Sequence, residues 1–165
     1  MKIGKGVEWA AHTCALLALL PPGASLPGEA LADFLGVPVP YLAKQLQALS
    51  RAGIVTAKRG AAGGYRLARI PETLSLWDIT AAIEGTAPSF RCTEVRRSGP
   101  CGAPSAECNN PCVIAAAFYS AEEGYREALA AVNLTDVVAG VAEDASSKRK
   151  QRIGDWIKQN ATSTA

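Results

Sequence analysis

Apolar and polar positions along the chain mark out short helices, one hairpin and one long irregular loop. "GVEWAAHTCALLALL", residues 6–20, is apolar on nearly every side and ends at Pro21 and Pro22. That pattern predicts a helix buried against other helices or another subunit. In "LPGEALADFLG", residues 26–36, Ala30, Leu31, Phe34 and Leu35 form a helical stripe that Gly36 stops. A tight turn, "GVPV", leads into "PYLAKQLQALSRAG", residues 40–53, where Pro40 suits a first helical turn. Leu42, Leu46 and Leu49 line one face of that helix, while Tyr41, Lys44, Gln47 and Arg51 fall on the other. Two short helices joined by a tight turn form a helix-turn-helix unit, whose second helix can enter a major groove.

The next pattern has period two. Ile54–Thr56 and Tyr65–Leu67 read as strands, and "GAAGG" between them can take the backbone angles of a hairpin. Lys58, Arg59, Arg66 and Arg69 decorate this ribbon. A basic hairpin after a helix-turn-helix acts as a wing on phosphates or in a minor groove. Short amphipathic helices with a hairpin also occur in folds that bind no nucleic acid. The tight turn, the polar outer face and the basic Gly-rich hairpin together favour a DNA reader, with Pro40, Tyr41, Lys44, Gln45, Gln47, Lys58, Arg59 and Arg66 as its candidate contacts.

Beyond the wing, "TLSLWDITAAIEG" is a helix with Ser75 as N-cap, Asp78 three residues on and Gly85 at its close. Gly99, Pro100, Gly102, Pro104 and Pro111 break up the stretch that follows. "CVIAAAFYSAEEGYREALAAVNL" reads as one long helix, a candidate dimer arm carrying Phe118 and Leu129. "TDVVAGVAED" makes a last short helix capped by Thr135 or Asp136, before a polar, basic tail in which Trp156 and Ile157 alone offer an anchor; disorder is the commoner outcome for such a tail, and contact with DNA is the alternative. The expected organisation is a winged helix-turn-helix over 1–85, a cysteine-rich loop over 86–112, dimerisation helices over 113–143 and a flexible basic tail over 144–165. The fold class is mainly α with a small β-hairpin.

Composition narrows the picture. At 48% hydrophobic, the 165-residue chain can bury a core without disulfide staples. The net charge of +2 means that any nucleic-acid site depends on local clustering. The N-terminus is basic and then apolar, like a signal peptide, but Glu8 and His12 interrupt it. No run approaches the roughly 18 apolar residues of a membrane span, so a cytoplasmic protein without membrane contact is expected. Phosphate loops, nucleophile elbows and paired catalytic acids are missing from the sequence, and the expectation is a non-enzyme.

Four of the five cysteines, Cys92, Cys101, Cys108 and Cys112, crowd into "RCTEVRRSGPCGAPSAECNNPC", residues 91–112. Cytosolic thiols stay reduced, so such a cluster points to metal or redox chemistry. Structural zinc favours paired C-x2-4-C ligands, and only Cys108 and Cys112 make such a pair. An iron–sulfur cluster tolerates irregular spacing. Redox thiols without metal are a third reading. C-x-x-C beside a βαβ unit, the mark of a thiol oxidoreductase, does not occur. Cys14, deep in the first helix, reads as a small buried hydrophobe.

"YLAKQLQALSRAGIVTAKRGAAGGYRLAR", then "SLWDITAAIEG", then a cysteine loop and a long helix, resemble the iron–sulfur winged-helix regulators of the IscR and NsrR type. The resemblance runs from about Gly6 to about Val138. It implies a homodimeric repressor on double-stranded operator DNA, whose affinity is switched by a cluster in the C-terminal loop. Three cysteines are usual there, so the four here leave open which ones ligate. By position Cys92 matches the first and Cys112 the last, while Cys101 and Cys108 compete for the middle.

"VEWAAH" adds to this. Glu8 and His12 lie four residues apart, on one helical face, in a helix too apolar to be exposed. A lone histidine on such a helix is commonly structural. Yet the stretch also resembles redox-sensing members of the RsrR type, where the first helix completes the cluster of the other subunit. That resemblance implies a [2Fe-2S] cluster held by Cys92 and Cys112 of one subunit and by Glu8 and His12 of the other. Trp9 is then a candidate redox-responsive residue, beside its plainer role as a core aromatic. The basic tail has no counterpart in the family pattern.

Overall fold

The computed structural model of the chain describes residues 3–58, 60 and 63–163. α1 (Lys5–Ala18) runs through the middle of the structure. Its buried residues, Val7, Ala10, Thr13, Cys14, Leu16 and Leu17, recur at helical spacing. Against it pack α2 (Gly28–Leu35), α3 (Val39–Arg51), α4 (Leu76–Glu84) and α6 (Leu134–Asp144). The expectation of an all-round buried first helix is corrected. Positions 8 and 12 lie off the buried stripe, so Glu8 and His12 are exposed.

α2 and α3 form the helix-turn-helix. Gly36 ends α2 in the left-handed conformation, φ 65°, where its amide and that of Val37 bond back to Asp33 and Ala32. A side chain there would strain the turn. Leu42, Leu46 and Leu49 of α3 are buried in the core with Leu31 of α2. β2 (Val55–Lys58) and β3 (Gly64–Leu67) form the antiparallel wing, with Thr56 opposite Arg66. The wing is joined to the body by Leu26 and Tyr65, which exchange two backbone hydrogen bonds of 2.8 and 3.0 Å. A Cβ at Gly64 would stand 2.7 Å from the Leu26 backbone, so only glycine permits this approach. The structure is a winged helix-turn-helix, mainly α with a small hairpin, as expected.

α4 opens with the predicted capping box. Ser75 accepts from the Asp78 amide, and the Asp78 carboxylate accepts from the Ser75 amide and hydroxyl. The long helix is shorter than expected. α5 (Val113–Ala130) stops before Asn133, because Asn133 rather than Thr135 or Asp136 caps α6 in a second capping box with Asp136.

The expected flexible tail is instead folded. α7 (Ser147–Asn160) buries Ile157 and lays Trp156 on Phe34 of α2, ring centroids 4.7 Å apart. β4 (Thr162–Ser163) then pairs with β1 (Ala24–Ser25). The polar composition hid a narrow apolar stripe, Ile153, Trp156 and Ile157, which is sufficient to dock a helix when α2 offers an aromatic partner. Leu134 and Ile157 belong to the same buried cluster as α1–α4.

The capping box generates a prediction. Burial raises the Asp78 pKa, but hydrogen bonds from Ser75 and the charge of Arg69 outweigh it, so the carboxyl sits below its ordinary 3.8. Its contribution to stability is therefore complete above that value and lost as pH falls through the depressed folded-state pKa. Ser75→Ala should cost about 1 kcal/mol in urea unfolding near neutral pH. Asp78→Asn should flatten the acid limb of the stability profile, and an unchanged limb would remove this role.

Candidate nucleic-acid interface and cysteine loop

α3 presents Pro40, Tyr41, Lys44 and Gln47 to solvent, as the helical spacing predicted. Gln45 is only half-exposed, and a Cβ on Gly6 of α1 would lie 2.9 Å from its amide oxygen. It packs across to α1 rather than standing on the open face. Lys58 and Arg66 are exposed on the wing. Arg59 lies outside the described residues. Arg69, grouped with the wing cations in sequence, instead turns to α4 and pairs with Asp78 at 3.4 Å. The exposed set on α3 and the wing thus offers side chains that can bond to phosphates and base edges.

Trp9 connects α1 to this face. Its ring meets Tyr41 edge-on, centroids 6.3 Å apart at 69°. The residue between the two exposed α1 side chains therefore touches the second helix of the helix-turn-helix.

The cysteine loop is irregular but held at several points. Phe90 stacks on Phe118 of α5, centroids 4.6 Å apart, and meets Tyr119 edge-on. The Ser89 amide donates to both Glu122 carboxylate oxygens at 3.1 and 3.2 Å. Arg126, which lies over the Trp77 ring, donates to Glu122 and to the Thr86 carbonyl. Within the loop Arg96 pairs with Glu94 at 2.6 Å and donates to the Asn110 carbonyl at 3.0 Å. Sequence reasoning misses Arg96 and Arg126; the double arginine Arg96–Arg97 inside a Gly/Pro-rich cysteine stretch is the signal that could have marked the first of them.

Two of the four loop thiols stand apart. The Cys92 sulfur accepts from the Glu94 amide at 3.4 Å. Cys112 precedes α5, and no amide makes a capping hydrogen bond to its side chain; the nearby backbone N–H groups of Ala115 and Ile114, with the charge of Arg96, still hold its pKa below the ordinary thiol value. An N–H donor at Cys92 and a positive environment at Cys112 favour the thiolate form and suit a thiolate metal ligand. Cys101 is exposed and Cys108 half-buried. Cys14 is fully buried, and burial pushes its thiol up to about 12, which makes it the inert hydrophobe expected. Among the described residues no three His, Cys, Asp or Glu side chains are grouped closely enough to hold a metal ion. Glu8 and His12 are not brought to Cys92 and Cys112 within one chain.

Residues 3–140 match the model of the Rrf2 family, described as iron-dependent transcriptional regulators. The chain belongs to the Rrf2 family. A relative in Streptomyces coelicolor, the HTH-type transcriptional repressor NsrR, is 29% identical over 140 residues, 84% of this chain and 89% of that protein. The HTH-type transcriptional regulator IscR of Cereibacter sphaeroides is 44% identical over 50 residues, 30% of this chain and 32% of that protein. The solved structure of T. potens IscR superposes with a TM-score of 0.66 at 23% identity, covering 90% of this chain and 95% of that one. The chain is thus a DNA-binding transcriptional regulator of the Rrf2 type, a family of regulators rather than enzymes whose members are usually dimeric. Among the described residues no helix is long and apolar enough to cross a membrane. α7 begins beyond the end of the family match.

In metal-free protein the midpoint pH for Cys112 alkylation should fall below the ordinary 9.0. A lowered pKa leaves thiolate present at lower pH, so reaction persists into more acidic buffer. Arg96→Gln should move the midpoint part of the way back, and mass-mapped alkylation rates that ignore Arg96 would exclude its influence.

Proposed function

We propose that this Rrf2 regulator is a cytoplasmic homodimeric repressor whose affinity for operator DNA is switched by a [2Fe-2S] cluster. The observation that carries the reading is the Trp9–Tyr41 contact: it ties the helix bearing Glu8 and His12 to the helix that faces DNA. Cys92, with its backbone N–H donor, and Cys112, with its lowered pKa, would hold one iron in one subunit. Glu8 and His12 of the other subunit, exposed and four residues apart, would hold the second. Mixed ligation fits such a cluster, since two-histidine centres show that non-thiolate ligands are compatible with it. When bound, the cluster supplies one-electron redox chemistry. The rest of the work falls to the chain. Trp9, in contact with Tyr41, would pass any shift of α1 to the helix that faces DNA. Tyr41, Lys44 and Gln47, with Pro40 and, less directly, Gln45, then read the major groove while Lys58, Arg59 and Arg66 hold phosphates.

The dimer would use α5. Val113 and Ile114 are 82% and 66% exposed in the single chain, and Phe118 is 53% exposed. So large an apolar strip beside Cys112 suits a subunit interface. A regulator holding zinc, or free thiols only, is the competing reading. Absorption spectra with iron, sulfide and zinc assays on anaerobically purified protein separate the two, and a colourless zinc protein would end the cluster proposal.

The ligand set has a sharper test. Cys92→Ala, Cys112→Ala and His12→Ala should each lose the cluster or shift its spectrum, while Cys101→Ala and Cys108→Ala keep it. In a co-expressed heterodimer of His12→Ala and Cys112→Ala subunits, ligation across the dimer leaves one intact site and restores about half the cluster. Ligation within one chain leaves none. On DNA, Lys44→Ala should alter sequence preference by about 1–3 kcal/mol at one position. Arg66→Ala should weaken all duplexes alike and reduce the salt slope by about 1. Unchanged gel shifts for both variants would remove α3 and the wing from the interface.

A further inference from the structure

The charge of this chain is unevenly placed. α7 carries Lys148, Arg149, Lys150, Arg152 and Lys158 against one acid, Asp155, a net +4. The whole chain is +2, so the remainder is 2 − 4 = −2. Four of these cations sit within the first six positions of the helix. That is the positive end of the helix dipole, where anions are favoured and cations are not. Arg149 and Arg152 at i,i+3, and Lys148 and Arg152 at i,i+4, add like-charge repulsion. Among the described residues none of the four takes part in an ion pair, and all are exposed. A solvated helix gains nothing from this arrangement, whereas a polyanion laid along it relieves every one of these costs.

The position of α7 names the polyanion. Trp156 fixes the helix to Phe34, the penultimate residue of α2, two residues before the helix-turn-helix corner at Gly36. An open cleft of about 650 Å³ there is lined by Lys148, Arg149 and Arg152, with Asp33 as its one acidic side chain. At the other end, β4 pairs with β1, and the Thr162 hydroxyl bonds to the Ser25 carbonyl at 3.2 Å and reaches the Gly63 carbonyl beside the wing at 3.4 Å. α7 is therefore anchored to both parts of the fold that approach DNA. In helix-turn-helix complexes the first helix crosses the sugar–phosphate backbone, so an element docked on α2 flanks the groove occupied by α3.

We propose that α7 is a second DNA-contacting element, in which Lys148, Arg149, Lys150 and Arg152 hold backbone phosphates outside the segment read by α3 and the wing. It rests on the DNA-binding assignment and extends the contacted duplex. Phosphate contacts carry no base information, so the element adds affinity and salt dependence without sequence preference.

The test uses the full chain and a fluorescent duplex of random sequence, titrated by anisotropy across a salt series. The variant replaces Lys148, Arg149, Lys150 and Arg152 by glutamine. Circular dichroism and tryptophan fluorescence should match the parent, since glutamine suits a helix and relieves the repulsion. Binding at low salt should fall tenfold or more, and the slope of log K against log salt should become shallower by about 1 for each phosphate that a subunit no longer neutralises. Arg152→Gln alone should remove about one such step. A slope and affinity equal to the parent's overturn the proposal. Loss of binding to phosphatidylserine vesicles with DNA binding intact overturns it too, in favour of a membrane surface. A Lys44→Gln/Arg66→Gln variant runs alongside. If it binds like the parent while the α7 variant does not, the assignment to α3 and the wing fails and α7 stands.

Discussion

α1 is the constraint on which the rest of the structure depends. Its buried stripe alternates small and branched residues, Ala10, Thr13, Cys14 and Leu17, so that α3, α4 and α6 can all approach it. Thr13 stays buried because its hydroxyl donates to the Trp9 carbonyl at 2.7 Å, which satisfies the one polar group on that stripe. A helix packed on so many sides cannot shift without disturbing them. What it leaves outside, Glu8 and His12, is the part free to meet another molecule. Any force applied there is delivered through packed side chains to Tyr41 and α3.

The cysteine loop obeys the opposite logic. Its Gly and Pro residues rule out regular structure, yet it is fastened by charged side chains and one aromatic stack, Phe90 on Phe118, rather than by a buried core. Arg96 closes the loop on itself through Glu94 and Asn110, and Arg126 closes the preceding turn onto α5. Glu94 adopts a left-handed backbone, φ 54°, in the segment that brings its own amide to Cys92. Strain of this kind in a non-glycine residue is found where a local geometry has a task. Here the geometry gives the Cys92 sulfur a donor.

Periodicity makes the helix-turn-helix, the wing and the α4 capping box legible, because each depends on neighbours in sequence: Leu42, Leu46 and Leu49 at helical spacing, Gly-rich residues between two strands, Ser75 and Asp78 three apart. What escapes it depends on partners remote in sequence. The folding of residues 147–160 rests on Trp156 meeting Phe34; "SSKRKQRIGDWIKQN" offers Trp156 and Ile157 as an anchor, but nothing local in it names the partner. Mean hydropathy over the whole of α1 conceals the exposure of Glu8 and His12, which follows from the helix having one packed stripe. Arg69 reads as a wing cation until the fold brings Asp78 beside it. Arg96 offers no periodic signal at all.

The thiols and the apolar face of α5 are physically one unit. Phe90, two residues before Cys92, is stacked on Phe118, and Cys112 immediately precedes the exposed Val113 and Ile114. Any pairing of subunits through this face therefore fixes both ends of the cysteine loop at the same moment. The reverse holds as well: a ligand that draws Cys92 and Cys112 together must act on the first two turns of α5, and so on the surface where a second subunit would sit. Loop occupancy and assembly are then linked, and by reciprocity each stabilises the other by the same free energy. In the proposed dimer the other half of the coupling would run through α1, whose exposed Glu8 and His12 would meet the loop of the other chain. A regulator of the proposed kind would need no hinge. Its switch would lie in how two rigid bodies are held relative to each other, which is the quantity that the spacing of two DNA half-sites reads.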